Sequence, residues 1–193
     1  MSRIDIEAPL SIKGSLVPSK NGENVKNFIE LTCPSFGEKV LLVGEVSNYG
    51  KYLKKIGTDV KIMEKDQRDI DEAMMLNDNC DVIKGSPEYI PFNDEYFDKV
   101  VFLNCFNSFY DEKKVLKEIY RVLKSEGQIL IEEKNMEVLS NKIGAMTNKL
   151  FKTPGCKFYY PQEVIQKFKR LGFNGVVEKV SKTKFIYLGT KNS

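Results

Sequence analysis

The sequence contains no histidine. That removes every scheme in which an imidazole activates a serine or cysteine nucleophile. Cysteine is sparse: Cys33, Cys80, Cys105 and Cys156 are the full set. None forms a C-x-x-C pair, so no zinc site of the usual ligand sets is expected, and no metal is assigned. Four unpaired thiols read as the reduced cysteines of a reducing compartment. No apolar run approaches the ~18 residues that span a bilayer. The opening Met1-Ser2-Arg3-Ile4-Asp5 lacks the apolar core of a secretory signal. A cytoplasmic location with no membrane partner is the expectation. An excess of one charge is missing too. Thirty Lys+Arg face 27 Asp+Glu, a net of +3 with the cations scattered, so nucleic acid is not the expected partner.

The 193 residues suit one domain. A chain of this length buries ~70% of its unfolded surface, so a real core is available. Its organising stretch is residues 40–64, VLLVGEVSNYGKYLKKIGTDVKIME. A four-residue apolar run ends at Gly44, and a polar turn follows. Tyr49, Leu53 and Ile56 then recur at helical spacing until Gly57. A second apolar run ends on Glu64. This is strand, glycine turn, helix, strand, acid. A nucleotide-binding βαβ unit has that outline, with ligand at the carboxyl ends of its strands. Glu64 lies 20 residues beyond Gly44, close to the ~20 at which a ribose-binding carboxylate is expected.

Further along, residues 69–76 read as a helix, 81–84 as a short strand, and 86–92 as a proline-pinned loop. Residues 99–103 form a buried-type strand, and Asp111 caps a helix to Leu123. Ser125-Glu126-Gly127 turns the chain into a strand at 128–132. Alternation of this kind predicts an α/β parallel sheet. Ahead of it, Val25, Phe28 and Ile29 mark a short helix that Pro34 ends; it either covers the sheet or roofs the ligand site. After it, Val138, Leu139, Ile143, Met146 and Leu150 share a helical face. A helix runs from Pro161 to Leu171, with Gly172 just past its end. Strands at 176–180 and 184–188 close the chain as an antiparallel pair. The expected organisation is one domain: an arm and helix at 1–36, a Rossmann-like core at 37–135, and helices with a hairpin at 136–193.

Several of these stretches resemble the class I S-adenosylmethionine-dependent methyltransferases, in particular the small type 11 group. VLLVGEVSN stands at the family's strand and glycine-rich turn, and VKIMEKD at its acidic end of strand two. GSPEYIPFNDEYFDKVV resembles the stretch G-D-A-E-x-L-P-F-x-D-x-x-F-D-x-V. LKEIYRVLKSEGQILIEE resembles L-x-E-x-x-R-V-L-K-P-G-G-x-L-x-I. YYPQEVIQKFKRLGFNGV looks like the closing helix before the final hairpin. The resemblance implies a doubly wound, seven-stranded, mostly parallel sheet with an antiparallel C-terminal hairpin. It also implies S-adenosyl-L-methionine as cofactor, lying across the ends of the first four strands. This sequence departs from the pattern at four places. Val46 and Asn48 stand for the second and third glycines, Leu42 for an acid within strand one, and Ser86 for the acid that receives the adenine amine. Asn107 and Ser108 stand for a polar or histidine pair after strand four.

On these grounds the cofactor-binding candidates are Gly44, Glu45, Val46, Ser47, Glu64, Lys65, Ser86, Pro87 and Asn104. A glycine ending a strand lets ligand approach the backbone, although it also serves any tight turn. Val46 narrows the turn, and Asn48 can take up a left-handed conformation. Glu45 and Ser47 offer acceptors to a ligand ammonium or are solvated turn residues. One carboxylate at 64 can accept from two vicinal ribose hydroxyls; Lys65 beside it screens the charge. Ser86 accepts from an amine without the charge assistance of an acid. The substrate-pocket candidates are Cys105, Phe106, Asn107, Phe109 and Tyr110, with Phe106 equally suited to the core. Tyr159 and Tyr160 line the same pocket or pack. No acid/base pair stands out, so no catalytic residue is assigned; Glu133 is the nearest candidate. Methyl transfer needs an in-line nucleophile in a desolvated pocket and does not always need a base. The expected partner is a small-molecule methyl acceptor, with a homodimer or partner subunit left open. Two other readings stay in view. One is a binding or scaffold protein on a degenerate methyltransferase domain; the other is a nicotinamide-dependent oxidoreductase, which a βαβ unit would also suit.

Overall fold

The computed structural model describes residues 23–78, 80–106, 109–135, 159–178 and 183–193. The expected arm before residue 21, the helical face between Val138 and Leu150, and Asn107 with Ser108 lie outside these residues. In chain order the elements are α1 (Glu23–Thr32), β1 (Lys39–Gly44), α2 (Tyr49–Ile56), β2 (Asp59–Glu64), α3 (Gln67–Leu76) and β3 (Asp81–Lys84). They continue with β4 (Phe97–Leu103), α4 (Glu112–Val122), β5 (Leu123–Lys134), α5 (Pro161–Arg170), β6 (Phe173–Glu178) and β7 (Lys184–Lys191).

One seven-stranded sheet runs in the order β3-β2-β1-β4-β5-β7-β6. The first five of these strands pair in parallel, whereas β7 pairs antiparallel with both β5 and β6. Successive strands from β1 step outward to β3, then the chain returns to place β4 on the other side of β1. The strand order therefore reverses between β1 and β4. In open α/β sheets a crevice opens at that point, outside the carboxyl ends of the strands.

The central strands are apolar on both faces because helices cover both. In β1, Leu41 and Val43 face one core cluster with Val115, Ile119 and Phe168. Val40 and Leu42 face the other, with Phe28, Tyr49 and Leu53. Alternation along the strand puts neighbours on opposite faces. The choice left open for the first helix is settled by Phe28, whose ring stacks on Tyr49 at 4.1 Å. α1 covers the sheet, and none of its residues lines the crevice described below.

Several boundaries differ from the sequence reading. α4 runs directly into β5, whose first residue Leu123 pairs with Phe97. The expected turn at 125–127 is an excursion within that strand, because the register jumps between the Phe97 and Lys99 pairings and Glu126 takes a left-handed φ of 62°. β6 begins three residues early because Gly172, at φ 91°, turns straight out of α5 and Phe173 is buried at once. α3 starts at Gln67 rather than Asp69.

Candidate functional site

A cavity of about 650 Å³ opens at the reversal point. That is within the ~300–1,000 Å³ of small-molecule sites. Its walls come from four connections: the β1–α2 turn, the end of β2 with α3, the turn after β3, and the loop after β4. Residues far apart in sequence meet there because all four follow the carboxyl ends of parallel strands.

Gly44 ends β1 with φ 94°. A Cβ there would lie 2.4 Å from the Leu103 carbonyl oxygen and 2.6 Å from Cys105 Sγ. Only glycine fits, on grounds of both conformation and space. After it the chain turns tightly, with Val46 N–H donating to the Gly44 carbonyl at 2.6 Å. The left-handed residue of the turn is Ser47, at φ 48°. Asn48, the expected left-handed position, has φ −105° and serves as N-cap of α2 without a side-chain bond. The reason lies across the crevice. Asn77 Nδ2 donates to the Ser47 carbonyl at 2.5 Å and to the Ala73 carbonyl at 3.1 Å, and its Oδ1 accepts from Lys51 N–H at 3.2 Å. Asn77 is 1% exposed and ties the turn to the end of α3. Asn77 also caps the end of α3, and its bond to residue 47, spanning 30 residues, leaves no local signal in the sequence.

Val46 borders the cavity but does not fill it. It is 3% exposed and packs with Leu42, Tyr49 and Leu53. Leu42, standing where an acid was implied, is fully buried in the same cluster. Both departures are thus apolar residues of one buried cluster on the core side of the turn.

Glu64 ends β2 and lines the cavity. No cation or donor among the described residues holds its carboxylate. Burial, then the neighbouring carboxylates Asp69, Glu72 and Asp66, push its pKa up to about 7. All four acids line the cavity, and Lys65, exposed, is the cation beside them. Asp69, in the first turn of α3, also opposes the helix dipole.

Ser86 and Pro87 form the turn after β3 and also line the cavity, as does Glu88. The Ser86 hydroxyl donates to the Glu88 carboxylate. Beyond β4, Cys105, Phe109 and the 89%-exposed Tyr110 contribute walls. Burial and the nearby Glu133 raise the Cys105 thiol, which donates to the Val43 carbonyl at 3.5 Å and is a neutral wall residue.

Two sequence candidates stand elsewhere. Phe106 is 1% exposed, packed edge-on against Phe102 and Phe109, and belongs to the core rather than the pocket. Asn104 is not part of the cavity wall. Held at φ 51°, it donates from Nδ2 to Glu45 Oε2 at 2.7 Å. Glu45, which does line the cavity, is oriented by that bond. The Asn104 Oδ1 is buried without a partner. Asn107 lies outside the described residues. Tyr159 is buried beside Phe106, whereas Tyr160 is partly exposed at the start of α5; neither lines the cavity. Glu133 is buried at the end of β5 and is likewise not a wall residue.

Residues 43–131 match the family model described as a methyltransferase domain. Over those 89 of its 193 residues the chain is similar to the methyltransferases, and its fold is that of the class I group. Its seven strands in this order, with an antiparallel end, are that family's fold. A demethylmenaquinone methyltransferase from Thermotoga maritima is 27% identical over 129 residues, covering 65% of this chain and 55% of that protein. Other curated relatives are matched over 24 to 29% of their lengths. Among solved structures, a SAM-dependent methyltransferase from Aquifex aeolicus superposes with a TM-score of 0.66 at 22% identity, over 88% of this chain and 89% of that one. The cyclase SpnF superposes with a TM-score of 0.70 at 13% identity, over 94% and 86%. A methyltransferase fold thus also occurs in a protein named for a different reaction, so the chemistry must be argued from the site. Among the described residues, no helix is long and apolar enough to cross a membrane.

Proposed function

We propose that the chain binds S-adenosyl-L-methionine in the cavity at the strand-order reversal and transfers its methyl group to a small acceptor. The observation that carries this is the state of the crevice beside β1 and β2. The Val46 side chain is spent on the core, and the Glu64 carboxylate faces the cavity with no lysine tying it up. A degenerate site would have closed at one of those two places. Three further features fit the cofactor. Gly44 permits close backbone approach. Six carboxylates on the wall, Glu45, Glu64, Asp66, Asp69, Glu72 and Glu88, suit a ligand carrying a sulfonium and an ammonium. Glu45, on the wall, is held in position by the Asn104 amide.

In this reading Glu64 accepts from the ribose hydroxyls and Glu45, steadied by Asn104, receives the amino-acid end. S-Adenosylmethionine, when bound, supplies a methyl on a cationic sulfur. The chain's own contribution is to orient it and exclude water, since proximity and desolvation supply much of the rate. Phe109, Tyr110 and the neutral Cys105 give the acceptor end an apolar, aromatic wall. That favours a small apolar acceptor, in keeping with the name of the Thermotoga relative. Incubation with methyl-tritiated cofactor and a fractionated cell extract tests it. Label is expected in the organic-extractable small-molecule fraction. Label confined to protein or nucleic acid would overturn the acceptor class.

A further inference from the structure

On the face of the sheet that carries Val40 and Leu42, one apolar row crosses four strands. Val101 of β4 is in register with Leu130 of β5, Leu130 with Leu188 of β7, and Leu188 with Val176 of β6. Exposure climbs along that row, from 1% at Val101 and 4% at Leu130 to 53% at Val176. The cover thus runs out towards the β6 edge. A groove of about 410 Å³ lies over these residues, with Leu31 and Thr32 of α1 as one wall. Among the described residues, the rest of its lining comes from the strands. The opposite face of the same strands is closed. There Phe168 of α5 stacks on Tyr187 at 4.9 Å and meets Phe173 edge-on at 5.4 Å. Sheets of α/β proteins have both faces covered, so the open end of the row calls for a covering element.

We infer that residues 4–12 of this chain occupy the groove as an extended strap. Residues 1–22 precede α1. Within them Ile4, Ile6, Ala8, Leu10 and Ile12 fall on every second position, and Arg3, Asp5, Glu7, Ser11 and Lys13 fall between. An extended chain points alternate side chains to opposite sides, so this stretch presents one unbroken apolar edge. Its reach is sufficient. The ten residues of α1 are ~15 Å long at ~1.5 Å each, whereas residues 13–22 span up to ~33 Å when extended. They can return along α1 to the wall formed by Leu31 and Thr32. Residues 4–12 then cover ~30 Å, against ~14 Å for four strands at ~4.8 Å spacing. Pro9 is compatible with this place, because a strap held by side chains on a sheet face makes no ladder bond for proline to break. No described residue lines both the groove and the cofactor cavity. The strap is therefore a covering layer of the sheet rather than a lid, and the inference is independent of the cofactor reading.

Val176, on the edge strand and exposed, is the place for a probe. In the full chain, Val176→p-benzoylphenylalanine should give on irradiation a cross-link within one chain, which peptide mass spectrometry maps to residues 1–13. A product of dimer mass would make a second copy the occupant. A cross-link to residues 136–158 would make that segment the cover, and cross-links confined to the sheet would leave the groove open. Each of these three results overturns the inference. A paired comparison of melting temperatures tests the alternation. Serine at Ile4, Ile6, Leu10 and Ile12 together should lower the Tm by at least about 4 °C, since four buried aliphatic side chains are lost. Serine at Arg3, Asp5, Glu7 and Lys13 together should move it by less than about 1 °C, as exposed charges contribute little. Equal shifts from the two sets, or none from the first, would contradict the strap.

Discussion

Glu64 is a half-buried carboxyl that faces three other carboxylates and has been pushed up to about 7. A ribose diol and a cationic sulfur both prefer its ionised form. Binding should therefore draw its proton off, and cofactor affinity should rise as pH rises through about 7 and level off above. The expected slope approaches tenfold per pH unit below 7. Glu64→Gln should bind more weakly at pH 8 and lose the slope; calorimetry across pH 6 to 8, about two units, checks both. The apo protein should show the opposite linkage. A carboxyl raised on folding contributes most below its unfolded value and loses that contribution as pH rises through about 7. Glu64→Gln should therefore melt higher than wild type at pH 8, by about 2–4 °C for each kcal/mol relieved, with little difference at pH 5. Val46 carries a second prediction. Restoring the family glycine would leave a void among Leu42, Tyr49 and Leu53. Val46→Gly should cost on the order of 2–4 kcal/mol in chemical denaturation and should not tighten cofactor binding. A large gain in affinity would mean the valine does obstruct the cleft.

At the scale of the element, the β1–α2 turn is fixed from two sides. Gly44 is confined by Leu103 and Cys105, and Ser47 is held by Asn77. Asn77→Ala would strip three bonds from a buried position, at a cost of about 2–3 kcal/mol by denaturation, and should weaken cofactor binding about tenfold by loosening the turn. The motifs that carried the family resemblance have a different role. Arg121, in RVLK, donates to the Ile90 and Phe92 carbonyls, Asp94 and Glu118, while Glu118 accepts from the Ile90 N–H. The RVLK and PFND stretches thus lock each other and stand outside the cavity wall. This explains what the sequence could and could not reveal. Strand, glycine, helix and acid at 40–64 were legible because period and turn chemistry are local. The substitutions at 42 and 46 read as loss because the sequence does not show which way a side chain turns, and both residues join the buried cluster beside the turn. The left-handed residue of the turn shifted by one under a bond from Asn77, 30 residues away in the chain. Phe106 was ambiguous for the same reason, since an aromatic after β4 serves core or pocket depending on which way the loop turns.

Across the whole molecule, the reversal of strand order between β1 and β4 gathers four connections into one cavity. A ligand there would touch all four. Saturating cofactor, at about 100 times its Kd, should add about 2.7 kcal/mol to stability. At ~2–4 °C per kcal/mol that is a rise in Tm of about 5–11 °C. The basic question beneath every prediction above is whether the crevice admits an adenosyl ligand at all. Isothermal titration of the wild-type chain with S-adenosylhomocysteine answers it most directly. The account predicts one saturable site with a Kd below about 0.1 mM, whereas the absence of binding at about 1 mM would contradict it.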